Sequence, residues 1–105
     1  MIARIWHGYT IPENAGMYEN LLKNEVFPSI EKKNVRGYRK ISLLKRELKT
    51  ETEFITIMLF DDLRAVKDFA GADYEMCYVP EKARKVLSRF DDRSQHYEII
   101  NELFY

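Results

Sequence analysis

The sequence has 105 residues with 17 basic and 17 acidic side chains, so its formal charge is zero and it carries no basic footprint for nucleic acid or an anionic membrane. That length is enough for one substantial core and too short for two, so residues 1–105 are expected to form a single domain. Cys77 stands alone, which excludes an internal disulfide and a cysteine-built zinc site.

The chain opens with alternation from Ile2 to Tyr9, which predicts a strand with Ile2, Arg4 and Trp6 on one face and Ala3, Ile5, His7 and Tyr9 on the other. Thr10 and Glu13 have capping-box spacing, and Pro12 suits a first helical turn. From about Glu13 onward Tyr18, Leu22, Val26 and Ile30 step by four, giving one apolar helical stripe, with Pro28 expected to kink or reset it near its end. Asn34 to Gly37 reads as the exit turn. Tyr38 to Leu48 reads as a second strand, and the polar run Lys49 to Thr52 as a hairpin connection.

The stretch from Glu53 to Gly71 organises the rest. Phe54, Met58 and Phe60 alternate with Ile55, Ile57 and Leu59, so this strand is apolar on both faces and belongs in the middle of a sheet. Asp61 or Asp62 then caps a helix whose apolar positions are Leu63, Val66, Phe69 and Ala70, and Gly71 terminates it. ADYEMCYVP has no clean period and reads as an irregular connector to Pro80. Glu81 to Phe90 has helical spacing, Asp91 to Arg93 breaks it, and Ser94 to Leu103 predicts a final strand.

The order is βαββαβ with an extra helical piece before the last strand. Right-handed crossovers and hairpin pairing convert it into an α+β fold, a four-stranded antiparallel sheet with its helices on one face and its first and last strands adjacent. Helices cover only one face of the central strand, so a second copy of the sheet is the simplest cover for the other.

The run FDDLRAVKDFAG, then Tyr78, Pro80, Leu87 and the closing His96-Tyr97-Glu98, resembles the antibiotic biosynthesis monooxygenase-like family. The opening MIARIW and the Gly37-Tyr38 turn resemble that family as well, so the likeness spans nearly the whole chain. It implies a ferredoxin-like fold that pairs into a dimeric α+β barrel. Among the activities it implies are oxidation of aromatic polyketides by molecular oxygen without metal or flavin, and haem degradation. The chain has Phe60 where family members often carry Trp. The helix from Leu63 to Ala70 holds neither the His nor the Trp that haem-degrading members use, which places haem degradation behind cofactor-independent oxidation.

Candidate site residues divide by chemistry. His7 and His96 are the two histidines, near opposite ends of adjacent antiparallel strands. An ordinary imidazole, with a pKa of about 6.5, suits a general base toward a phenol. Which of the two faces a pocket depends on register, and a backbone-bonding structural role competes for each. Trp6, Tyr9, Tyr38, Tyr74 and Tyr78 could line an apolar pocket that stacks an aromatic substrate, with ordinary core and dimer packing as the alternative. Arg46 and Arg4 could each bind an oxyanion, with a salt bridge to Glu98 as the competing reading. Cys77 has no basic neighbour at a recognisable spacing. The acidic pairs at residues 61–62 and 91–92 read as caps and turns.

The sequence therefore predicts a small cofactor-independent monooxygenase that oxidises an aromatic or quinone-like metabolite, with no metal and no flavin, working as a homodimer. The competing prediction is a non-catalytic small-ligand-binding or regulatory dimer. MIARIWHGYT lacks the apolar run of a signal peptide, so the expected setting is the cytoplasm, without nucleic acid or membrane as partner.

Overall fold

A computed structural model describes residues 1–105. Strand β1 (Ile2–Thr10) leads through a short 3-10 turn at Pro12–Asn14 into helix α1 (Ala15–Leu21). A π-helical segment, Leu22–Val26, joins α1 to α2 (Phe27–Lys32). Strands β2 (Tyr38–Glu47) and β3 (Thr52–Phe60) form a hairpin, followed by α3 (Leu63–Ala70), α4 (Glu81–Val86), β4 (Arg89–Phe90) and β5 (Gln95–Glu98).

The sheet is antiparallel in the order β2-β3-β1, with β4 and β5 both pairing on the outer edge of β1. This is the ferredoxin-like order, and the first and last strands are neighbours as expected. Register fixes the faces. Arg4 lies across from Met58, Trp6 from Thr56 and Gly8 from Phe54, so the even positions of β1 and β3 share the helix-covered face. The odd positions, Ile5 across from Ile57 and His7 across from Ile55, share the open face.

Two apolar clusters fill the space between sheet and helices. Tyr18, Leu22, Phe54, Val79, Ala83 and Leu87 form one, beneath α1 and α4. Met58, Phe60, Ala65 and Val66 form the other, beneath α3. Gly8 is required at the first cluster, because the Trp6 ring folds back over it. A Cβ at Gly8 would lie 2.7 Å from that ring.

Local chemistry explains both the agreements and the departures. Asp62, and not Asp61, caps α3: its Oδ1 accepts from the Ala65 N–H at 2.9 Å. Asp61 instead takes both ends of the Arg39 guanidinium. Gly71 ends α3 with φ of +94°, its N–H on the Lys67 carbonyl.

The capping box at Thr10 does not form. Thr10 stays paired with Thr52 in the ladder, its hydroxyl is buried without a partner, and the helix entrance has no side-chain cap. Pro28 resets its helix without ending it: α2 starts at Phe27, with the proline in its first turn. The preceding π segment bonds at longer intervals, which accommodates the missing proline N–H.

The helix expected over residues 81–90 stops at Val86, because Leu87 is already extended and Phe90 joins the ladder opposite Gly8. The closing strand is likewise shorter than the expected 94–103. It ends at Glu98, and beyond it Ile100, Leu103, Phe104 and Tyr105 are all exposed. No helix is long and apolar enough to cross a membrane.

Candidate functional site: a cavity between sheet and helices

A cavity of about 390 Å³ opens between the two apolar clusters and takes its walls from both. That is the lower end of the size range for small-molecule sites, which are apolar with few polar groups. Trp6, Thr56 and Met58 rise from the sheet, Tyr18 and Phe27 from the first helical run, and Phe69 from α3. Cys77, Tyr78 and Pro80 of the irregular connector close one side.

Three wall residues are held from behind. Trp6 Nε1 donates to the Asp91 carbonyl at 2.8 Å, which fixes the indole over Gly8. Tyr18 meets Phe54 edge-to-face at 4.9 Å between centroids, and its burial pushes the phenol far above its ordinary pKa. Cys77 Sγ lies 2.9 Å from Ser94 Oγ, and burial raises its thiol pKa, so it is no activated nucleophile.

The polar centre of the cavity is Arg4. It is 7% exposed, and its Nη1 donates to the Tyr74 carbonyl and to His96 Nε2, the latter at 3.1 Å. Arginine has no acceptor, so Nε2 of His96 receives this bond and the proton of the neutral ring sits on Nδ1, which is buried without a partner. Tyr74 packs edge-on against the imidazole at 5.1 Å. The face of Phe69 lies 5.6 Å from the guanidinium. Burial lowers the His96 pKa, and the Arg4 charge lowers it further. His96 is therefore an unprotonated imidazole at neutral pH.

The same shift sets a stability effect. In the unfolded chain His96 titrates at about 6.5, above its folded value, so acidification below that point loads protons onto the unfolded state first. Stability is expected to fall as pH drops through about 6.5 toward the lower folded pKa, and His96→Gln should flatten that part of the profile. Thermal denaturation of both proteins across this window measures it, their difference isolating His96 from the other titrating groups.

The residues singled out from sequence separate by face. Trp6 and Tyr78 line the cavity, although the Tyr78 side chain is mostly in solvent. His96 and Tyr74 stand behind Arg4, and Tyr38 packs between Phe60 and Phe69 in the second cluster. His7, Tyr9 and Arg46 lie on the open face. His7 Nδ1 sits 2.8 Å from Asp91 Oδ2, Tyr9 donates to Glu53, and Arg46 pairs with Glu53 at 2.9 Å. The fold does not bring the two histidines together.

An acid pairing forms for Arg46, but with Glu53 and not with the expected Glu98. For Arg4 it is absent, since Glu98 lies across from Ile2 and no carboxylate reaches the guanidinium. Tyr18, Phe27 and Phe69 are cavity walls that the sequence alone does not single out, because at helical spacing they look like any core aromatic. No three His, Cys, Asp or Glu side chains gather as a metal site would require.

No family model and no curated protein matches this sequence. Among solved structures, the crystal structure of a Bacillus cereus protein provisionally named an antibiotic biosynthesis monooxygenase superposes with a TM-score of 0.69. The match covers 99% of this chain and 97% of that one at 9% identity. The likeness establishes the fold: this chain has the α+β fold of a protein named for that family.

Proposed function

We propose that the protein is a small cofactor-independent monooxygenase, acting as a homodimer on an aromatic or quinone-like metabolite. The observation that carries this reading is the aromatic-walled cavity with an arginine at its polar end and, bonded behind that arginine, an unprotonated histidine. A planar substrate would lie against Trp6. When Arg4 turns from His96 toward the substrate's oxygen, the freed Nε2 lone pair accepts the substrate's proton. The electron-rich anion then gives one electron to molecular oxygen, and the two radicals combine through a C–O bond. For oxidation of a ring CH₂ to a carbonyl, one oxygen atom stays in the product and the other leaves as water with the two hydrogens.

A non-catalytic ligand-binding dimer is the second reading, and one observation favours it: the Nε2 lone pair is already engaged by Arg4. Oxygen uptake over a panel of anthrones, quinols and haem separates the two. Uptake with an anthrone or quinol, reduced by about a hundredfold or more in His96→Gln, is the expected result. Binding without uptake across the panel would overturn the oxidation and leave the binding dimer.

The dimer rests on the open face, where Ile5, Leu44, Ile55, Ile57, Leu59 and Tyr97 are all partly or largely in solvent. The exposed apolar residues beyond Glu98 adjoin this surface, the Ile99 N–H being bonded to the Met1 carbonyl beside it. A second sheet would cover the patch with closed two-fold symmetry.

A further inference from the structure

Arg4 differs from the other arginines of the chain. The other seven lie in solvent: Arg39, Arg46, Arg89 and Arg93 each pair with a carboxylate, and Arg36, Arg64 and Arg84 are exposed without one. Arg4 is buried, lines the cavity, and pairs with none. Its protein partners are a carbonyl, a neutral imidazole and the face of a phenyl ring, which spread its charge without neutralising it. Both protein bonds use Nη1, so Nε and Nη2 have no protein acceptor. Removing a guanidinium from water without a counter-charge is costly, and arginine cannot escape the cost by losing its proton. The fork left free on one side of a guanidinium matches two oxygens of one planar anion.

We infer that the cavity is an anion receptor: its occupant is an aromatic organic acid bound as the carboxylate or ionised hydroxyl, with the negative oxygen on Arg4 and the ring against Trp6 and Phe69. Lys33, the other basic residue of the lining, has its ammonium over the Phe69 ring, 4.5 Å from the centroid, and the lining holds no carboxylate. The remaining polar lining, Ser29, Thr56, Cys77 and Ser94, is uncharged and repels no anion. The apolar walls discriminate against small inorganic anions, which would leave most of the 390 Å³ unfilled.

The inference shares its cavity with the oxidation proposed above but not its chemistry, since binding an anion needs no oxygen. Naphthoate and its uncharged analogue naphthylmethanol test it, with binding read from quenching of Trp6, the single tryptophan, and from thermal shift. Wild-type protein is expected to bind naphthoate at least about tenfold more tightly than the alcohol, the scale of hydrogen bonds to a charged group. Arg4→Met is expected to abolish or invert that preference while still binding the alcohol.

Equal binding of acid and alcohol by the wild type would overturn the inference without any variant, so it stays testable if Arg4→Met does not fold. An unchanged preference in a folded Arg4→Met would overturn it too. Arg4-dependent binding of naphthoate, with no oxygen uptake on any substrate, would leave this inference standing and remove the oxidation. Oxidation at the wild-type rate by Arg4→Met would do the reverse.

Discussion

Replacing Ile57 with aspartate is expected to convert a dimer into a folded monomer or to precipitate the chain. Ile57 lies mid-strand on the open face, with Ile5 directly across on β1 and Ser42 across on β2. Around it Leu44 is across from Ile55, Ala3 from Leu59, and Ala3 again from Tyr97, so the apolar surface continues over four strands. Wholly burying a large apolar side chain is worth about 1.5–3 kcal/mol. Half-exposed side chains regain part of that, and six of them on each copy amount to several kcal/mol of association energy before the cost of pairing. A two-fold contact through this patch would desolvate an aspartate on each copy, and that penalty outweighs the apolar gain. Light scattering at micromolar concentration measures the outcome. Wild-type protein should have twice the 12.6 kDa chain mass, and Ile57→Asp a single chain mass with unchanged circular dichroism. A well-folded wild-type monomer would refute the sheet pairing.

The fold was legible because its elements carry strong, local signals. Two-residue alternation in β1 and β3 identified both faces correctly, and the four-residue steps of Tyr18, Leu22, Val26 and Ile30 identified the buried stripe of the first helical run. Asp62 and Gly71 mark the ends of α3 through capping and a positive φ, effects that reach only a few residues. The errors lie where a neighbour in space overruled a neighbour in sequence. Residues 87–90 carry a helical pattern, yet the free edge of β1 draws Phe90 into the ladder. Thr10 has capping spacing, yet Thr52 holds it in the sheet.

The site was less legible because its geometry depends on register and on pairs far apart in sequence. Nothing local places His96 beside Arg4, 92 residues away. Arg4 carried the one usable signal: it shares a strand face with Ile2 and Trp6, and a lone cation on an apolar face must find an acid or a ligand. Glu98 suggested the acid. Pairing β5 with β1 puts Glu98 across from Ile2 and His96 across from Arg4, which leaves the ligand.

Phe54→Ala, three residues from Ile57 and on the other face of the same strand, is expected to damage folding and not assembly. Phe54 is fully buried, lies over Gly8 of β1, and packs with Leu22, Val79, Ala83 and Leu87. Truncating a buried phenylalanine costs about 3–5 kcal/mol, of which the lost edge-to-face pair with Tyr18 supplies part. The site has little means of collapsing. Its floor is sheet backbone, and the indole that could slide inward is pinned through Nε1 to the Asp91 carbonyl. For a chain of this length such a loss lowers the melting temperature by roughly 15–25 °C. It also undercuts the cavity, because Tyr18 is at once a cavity wall and the partner of the missing ring. Naphthoate affinity should therefore weaken in Phe54→Ala even at temperatures where the variant is folded, whereas Ile57→Asp should alter mass with little effect on melting of the monomer. A melting shift under about 5 °C would mean that the space left by the ring refills, and that the first cluster is looser than its aromatic packing implies.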